Sequence, residues 1–149
     1  ITMPDSDEHQ YDDWVKFTVP GQAKGKARPR FNRQSGIVFS PDVGGFQTSV
    51  AYWGKEAGLM PTAHPVSLYV VIRRKMPGSF GKAKQVRAPE SFAIRTPDVP
   101  NVMMAVCDGL EGTAYHDDKQ VVWMRSKRVW ADANETIIYV KQHEDMGDQ

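Results

Sequence analysis

The stretch TPDVPNVMMAVCDGLEGTAYHDDKQV, Thr96 to Val121, constrains the fold more than any other part of the chain. Val102, Ala105, Val106, Gly109 and Leu110 fall at helical spacing, which predicts an amphipathic helix of about three turns over Val99 to Leu110. Gly112 supplies its stop. Asp98 stands just before the helix. Asp117 and Asp118 stand just before Gln120-Val121-Val122-Trp123, the start of an alternating strand. About ten helical residues span roughly 15 Å, and an extended link of about five or six residues covers that distance, so the chain can bring Asp118 back toward Asp98. The expectation is a meeting of carboxylates. Asp98 has a second reading as a plain N-terminal helix cap.

The flanking segments follow from the same periodicities. Trp14 to Val19 alternates, with Val15, Phe17 and Val19 on one face, and Pro20-Gly21 stops it. Ile37 to Ser40 reads as a short strand. Phe46, Val50, Trp53 and Ala57 recur at four, three and four residues, a packed helix ending at Gly58 with Trp53 assigned to the core. Val66 to Lys75 reads as a central strand with Val66, Leu68, Val70 and Ile72 inward. Met76 to Ala93 shows little pattern and reads as a long loop, a length that more often marks a functional segment than a packed one. Lys119 to Trp130 and Glu135 to Gln142 form two strands around a turn at Ala131 to Asn134. The fold class is α+β, a mixed sheet with two main helices packed on one face.

At 149 residues with 40% hydrophobic residues, the chain can bury one sizeable core. The domain reading is an acidic, disordered leader over 1–13, one domain over 14–142 and an acidic tail over 143–149. No apolar run approaches the roughly 20 residues of a membrane span, so no membrane partner is expected. The lone Cys107 forms no intrachain disulfide, which fits a cytoplasmic location.

The formal net charge of +1 conceals an asymmetry. All 19 Lys and Arg lie between Lys16 and Lys141, where they face ten of the 18 acids, a net of +9 for that body. A basic body suits a polyanion. Its densest part is GQAKGKARPRF, where Lys24, Lys26, Arg28 and Arg30 alternate and Arg33 follows. On an extended backbone, period 2 puts the four on one side, a row suited to phosphates. A solvated edge is the competing reading. Lys82, Lys84 and Arg87 in the long loop can reach a nucleic-acid backbone in the same way. There is no Walker loop, zinc-type Cys/His cluster or G-x-S-x-G nucleophile motif. Of the four histidines only His116, beside Asp117, is placed for proton transfer or water orientation, against a reading as a surface-loop residue.

Four motifs stand in a fixed order: Gly25-Lys26-Ala27-Arg28-Pro29-Arg30-Phe31, Pro97-Asp98-Val99-Pro100-Asn101, Asp108-Gly109-Leu110-Glu111-Gly112 and Asp117-Asp118-Lys119-Gln120-Val121. Their order and spacing resemble the RusA family of Holliday-junction resolvases over roughly Phe17 to Val140. The resemblance implies a small homodimeric α+β enzyme, cytoplasmic in a bacterial or phage-infected cell. It would bind four-way DNA junctions and nick opposing strands with Mg2+, Mn2+ being an alternative. The implied metal carboxylates fall on Asp98 and Asp118, and Asp117 is a further catalytic candidate that an extended backbone would point the other way. Two positions depart from the pattern. Pro100 replaces the second aspartate of PDxDN, and Met104 replaces a lysine one turn later. Proline in the first helical turn is harmless to the fold. The metal site, however, needs a substitute from Asp117, Asn101 or Asp108. The implied activity is therefore either metal-dependent junction cleavage at a rearranged site or binding of branched DNA, or of another partner, without cutting.

Overall fold

The computed structural model describes residues 8–25, 30–31, 34, 38–39 and 44–144. Strands β1 (Val15–Pro20), β4 (Val66–Lys75), β5 (Val121–Ala131) and β6 (Glu135–Gln142) form one mixed sheet in the order β1-β6-β4-β5. A small hairpin pairs β2 (Arg30–Phe31) with β3 (Val38–Phe39). The helices are α1 (Gly44–Glu56), α2 (Lys82–Arg87) and α3 (Val99–Leu110). β4 pairs parallel with β5 and antiparallel with β6. A parallel pair needs a crossover, and the chain between β4 and β5 supplies it with α2 and α3.

The expected α+β architecture is what the chain adopts. α1 and α3 share one face of the sheet, where Val66, Leu68, Val70 and Ile72 of β4 join Phe17, Val19, Ile138 and Val140 under Val50, Val102, Val106 and Leu110. The two helices approach closely at Gly109, where an added Cβ would lie 2.9 Å from the Gln47 carbonyl oxygen and 2.9 Å from Val50 Cβ. The buried stripe of α1 is Phe46, Val50 and Gly54 rather than the stripe through Trp53, which is 37% exposed and meets Tyr52 edge-on. Gly54 carries no apolar side chain, so it escaped the periodicity. Its missing side chain leaves room for Thr113, Leu59 and Phe17.

Both faces of β4 are covered, since Val66 through Ile72 are all buried. Tyr69 and Val71 point to the second face. There Tyr11 stacks on Tyr69 at 4.4 Å, lies 5.4 Å from Tyr139 and meets Trp14 edge-on. This corrects the expected leader for its last residues. A single 3-10 turn, Glu8–Tyr11, is packed, Tyr11 is 5% exposed, and Asp13 pairs with Lys141 at 2.6 Å. Residues 1–7 and 145–149 lie outside the described residues. Met76 to Ala93 is likewise not all loop, because it contains α2. That helix buries no side chain and so carries no apolar period to detect. Among the described residues no helix is long and apolar enough to cross a membrane.

Candidate functional site

α3 carries the two motif departures, and its ends are held by different devices. At its head Asp98 is the N-cap in extended conformation, and its Oδ1 accepts a 2.8 Å hydrogen bond from the Asn101 amide. This satisfies one of the donors that every helix leaves open. Pro100 sits in the first turn, where its lack of an N–H costs nothing. Arg128 of β5 holds the approach. Its Nε donates to the Ala93 carbonyl at 3.1 Å, and its terminal nitrogens donate to the carbonyls of Arg95 and Pro97. A planar fork suits three carbonyls on one short segment. Burial pushes the Arg128 guanidinium below its usual value and the Arg74 and Arg95 charges add to that, while Asp98 opposes both. Gly25 also lies here, its α-carbon so close that a Cβ would stand 2.6 Å from Asn101 Nδ2. Residues 21–25 therefore lead from β1 to the head of α3.

Beyond the foot of α3, Tyr115 is fully buried and its hydroxyl donates to the Cys107 carbonyl at 2.6 Å. Burial first, then the charge and hydrogen bond of the Cys107 region, push that hydroxyl far up, so it stays protonated. Asp117 caps a 3-10 turn, Asp118–Gln120, with its Oδ1 accepting from the Lys119 amide at 2.9 Å. That hydrogen bond holds the Asp117 carboxyl below its usual value. Gln120 completes the capping box: its Oε1 accepts from the Asp117 and His116 amides, and its Nε2 donates to the Thr62 and His64 carbonyls at 2.7 and 3.0 Å. The strand expected from Lys119 therefore begins at Val121. Asp117 is engaged by the turn, whereas Asp118 is exposed.

Asp118 opens onto a groove of about 450 Å3 between α3 and β5. Its lining comprises Val99, Pro100, Met103, Met104, Cys107 and Asp108 from α3, with Asp118, Val121, Met124 and Ser126 opposite. Register orients it: Cys107 Sγ and Met124 Sδ are 3.9 Å apart, whereas Arg128 reaches Pro97. Asp108 and Asp118 both act on the Cys107 thiol, which burial in the first place pushes up. One end of the groove is thus acidic, and the end toward Val99, Pro100 and Met103 is apolar. Pro100 and Met104 face the same space as Asp118, whereas Asp98 is not among the lining residues.

Of the substitutes for the missing carboxylate, Asp108 shares the groove with Asp118. Asp117 is engaged as a cap, and Asn101 is outside the lining. Among the described residues no group of three or more His, Cys, Asp or Glu could hold a metal ion. That set does not make an all-protein cage. It does fit magnesium in its commoner mode, in which one or two carboxylates share a hydrated ion with a substrate phosphate.

Of the cations in the expected row, Lys24 is exposed just before Gly25. Lys26, Arg28 and Arg33 lie outside the described residues, and Arg30 is described only as backbone of β2. Lys82 and Lys84 stand on the exposed α2, with Lys84 Nζ 4.2 Å from the centre of the Phe80 ring. His116 is an exposed loop residue. Sequence reasoning missed Arg128, whose only local sign was an arginine in the α3-facing half of a strand.

Two comparisons bear on this site. Residues 20–141 match the profile of the family described as "Endodeoxyribonuclease RusA". A Bacillus subtilis (strain 168) protein named "Uncharacterized protein YqaN" is 28% identical over 142 residues, covering 87% of this chain and 97% of the relative.

Proposed function

Because the chain belongs to the RusA endodeoxyribonuclease family, we propose that it is a structure-selective endonuclease that resolves four-way DNA junctions as a homodimer, in the cytoplasm of a bacterial or phage-infected cell. The observation that carries this reading is the groove in which Asp118 stands open beside Asp108, inside the family-matched region. Asp118 would be the principal ligand for Mg2+ or Mn2+, with Asp108 and Asp98 as the further carboxylates that could share the ion. When bound, the ion supplies the positive charge that a scissile phosphate needs and lowers the pKa of a water. The remaining work belongs to the chain. Lys24, Lys26, Arg28, Arg30 and Arg33 bind phosphates, and Lys82 and Lys84 on α2 add to those contacts. Arg128 fixes the segment that leads into Asp98.

A second reading, a protein that binds branched DNA without cutting it, is favoured by one observation. The two groove positions where the family pattern has a carboxylate and a lysine hold Pro100 and Met104. The deciding experiment is a nicking assay on a synthetic four-way junction in Mg2+ and in Mn2+, run beside a binding assay in chelator. Symmetric nicks that need the metal support the first reading. Tight, salt-sensitive binding with no nicks in either metal replaces it with the second.

A further inference from the structure

The apolar end of the groove has no part in holding an ion. A site that handled only phosphate and metal would be lined by oxygen and cations. Here Val99, Pro100, Met103, Met104 and Met124 are five of the ten lining residues, and Met104 and Met124 are 52% and 48% exposed. Large apolar side chains left open around a concave space mark a binding site more often than chance exposure. The volume of about 450 Å3 lies in the range of small-molecule sites, which pair apolar walls with a few polar groups. Those groups are the Ser126 hydroxyl among the apolar residues and the two carboxylates beyond. Thioethers are soft and adaptable, and they lie flat against rings of different shape.

We propose that this apolar end is a nucleobase subsite, which takes one unstacked base of the bound DNA while its neighbouring phosphate lies toward Asp118 and Asp108. The inference rests on the reading of the chain as a junction-DNA protein. Among occupants, a base answers both halves of the lining. It has two apolar faces for Met104 and Met124 and a polar edge for Ser126, and it is tethered to a phosphate that the acidic end can share with a cation. Extruding a base costs a few kcal/mol, least where pairing is already interrupted, as at a branch point. Contact with the ring faces is tolerant of sequence, and the Ser126 hydroxyl, both donor and acceptor, adds only a mild preference.

The test replaces single bases around the branch point of a four-way junction with 2-aminopurine, one position per substrate. Fluorescence is read in Ca2+, a hard cation that can sit with the phosphate at the acidic end, beside an electrophoretic check that the junction stays intact, and binding is scored separately by anisotropy. One position should brighten severalfold on binding, because the base leaves its stack for a wall without aromatic rings. Met104→Glu on α3 and Ser126→Leu on β5 make the apolar end unfit for a base, the first by charge and the second by volume, and neither adds a ring that could itself stack on the base. Either should remove most of the rise and weaken junction binding severalfold. Two variants on different elements keep the test intact if one of them does not fold. Binding by anisotropy with no position brightening overturns the subsite and leaves the junction reading standing. No binding at all overturns the junction reading, and the subsite with it. A rise that survives both variants places the extruded base elsewhere and overturns the subsite. So does a change of oligomeric state in the variants with the rise retained, which assigns the apolar wall to a second copy of the chain.

Discussion

The two ends of α3 are built from the same kind of residue and put to opposite uses. At the head, Asp98 turns an oxygen to the Asn101 amide, and Arg128 ties the preceding carbonyls down. Beyond the foot, Asp117 takes over the capping of its own turn, and Asp118 is left open on the groove. A motif aspartate is therefore not a functional group by virtue of its letter. Of two neighbours, the one that satisfies the backbone leaves the other available for chemistry. The sequence shows that carboxylates flank the helix, and the backbone donors decide which are spent.

The largest effect should come from the open one. Asp118→Asn is expected to lower metal-dependent junction nicking by about 100-fold or more, about 2.7 kcal/mol of transition-state stabilisation, with binding in chelator retained. Nicking at the parent's rate would move the chemistry to another carboxylate and end the contrast. Next is the clamp. Arg128→Lys keeps the charge and loses the planar fork, so it should cost about 1.5–3 kcal/mol in denaturant unfolding, the range for hydrogen bonds to a charged group. Hydrogen exchange should rise over residues 93–101 and stay unchanged at the foot of α3. Uniform exchange along the helix would mean that the head is not held separately.

A gain of function sharpens the comparison from the other side. Pro100→Asp with Met104→Lys returns a carboxylate and a cation to the groove face of α3, and it should raise magnesium-dependent nicking about tenfold, roughly 1.4 kcal/mol. Adding Asp118→Asn should cancel that gain. A double variant that folds and binds junctions yet cuts no faster would show that the groove is not where the family pattern does its work. The smallest effect is at the cap itself. Asp98→Ala should cost about 1 kcal/mol of stability, whereas Asp98→Asn, an equally good cap, should cost almost none. The difference between the two variants, read by urea unfolding, isolates capping, and nicking by the asparagine variant reports any further role in chemistry.

Much of the architecture was legible because it follows from periodicity. The stripe of α3 and the alternation of β6 each state which face is buried, whereas β4 is buried on both faces, and α1 failed only where Gly54 stands in for an apolar residue. α2 and the Tyr11 turn were not legible, for opposite reasons. The first buries nothing, while the second buries a single aromatic residue after an acidic run. The candidate site was legible as a set of letters and not as a geometry. Asp108 reads in sequence as one of three candidate substitutes for the missing carboxylate with nothing to choose between them, and Arg128 as one more cation in a basic body. Their meaning comes from long-range packing of β5 along α3, which no local pattern encodes.

The place of β6 has a consequence for how the chain comes together. It follows the other three strands of the main sheet in chain order, yet it lies between β1 and β4 and pairs with both. Until Glu135–Gln142 is available, β1 has no neighbour and β4 has one open edge. Two apolar strand edges then wait together in an unfinished sheet, an arrangement prone to pair with the wrong partner. On a ribosome the sheet cannot close as its strands emerge; it closes in one late step, when the missing middle strand arrives. Contacts that join residue 15 to residue 140 raise the mean sequence separation that must be closed, which slows folding relative to a chain of local contacts.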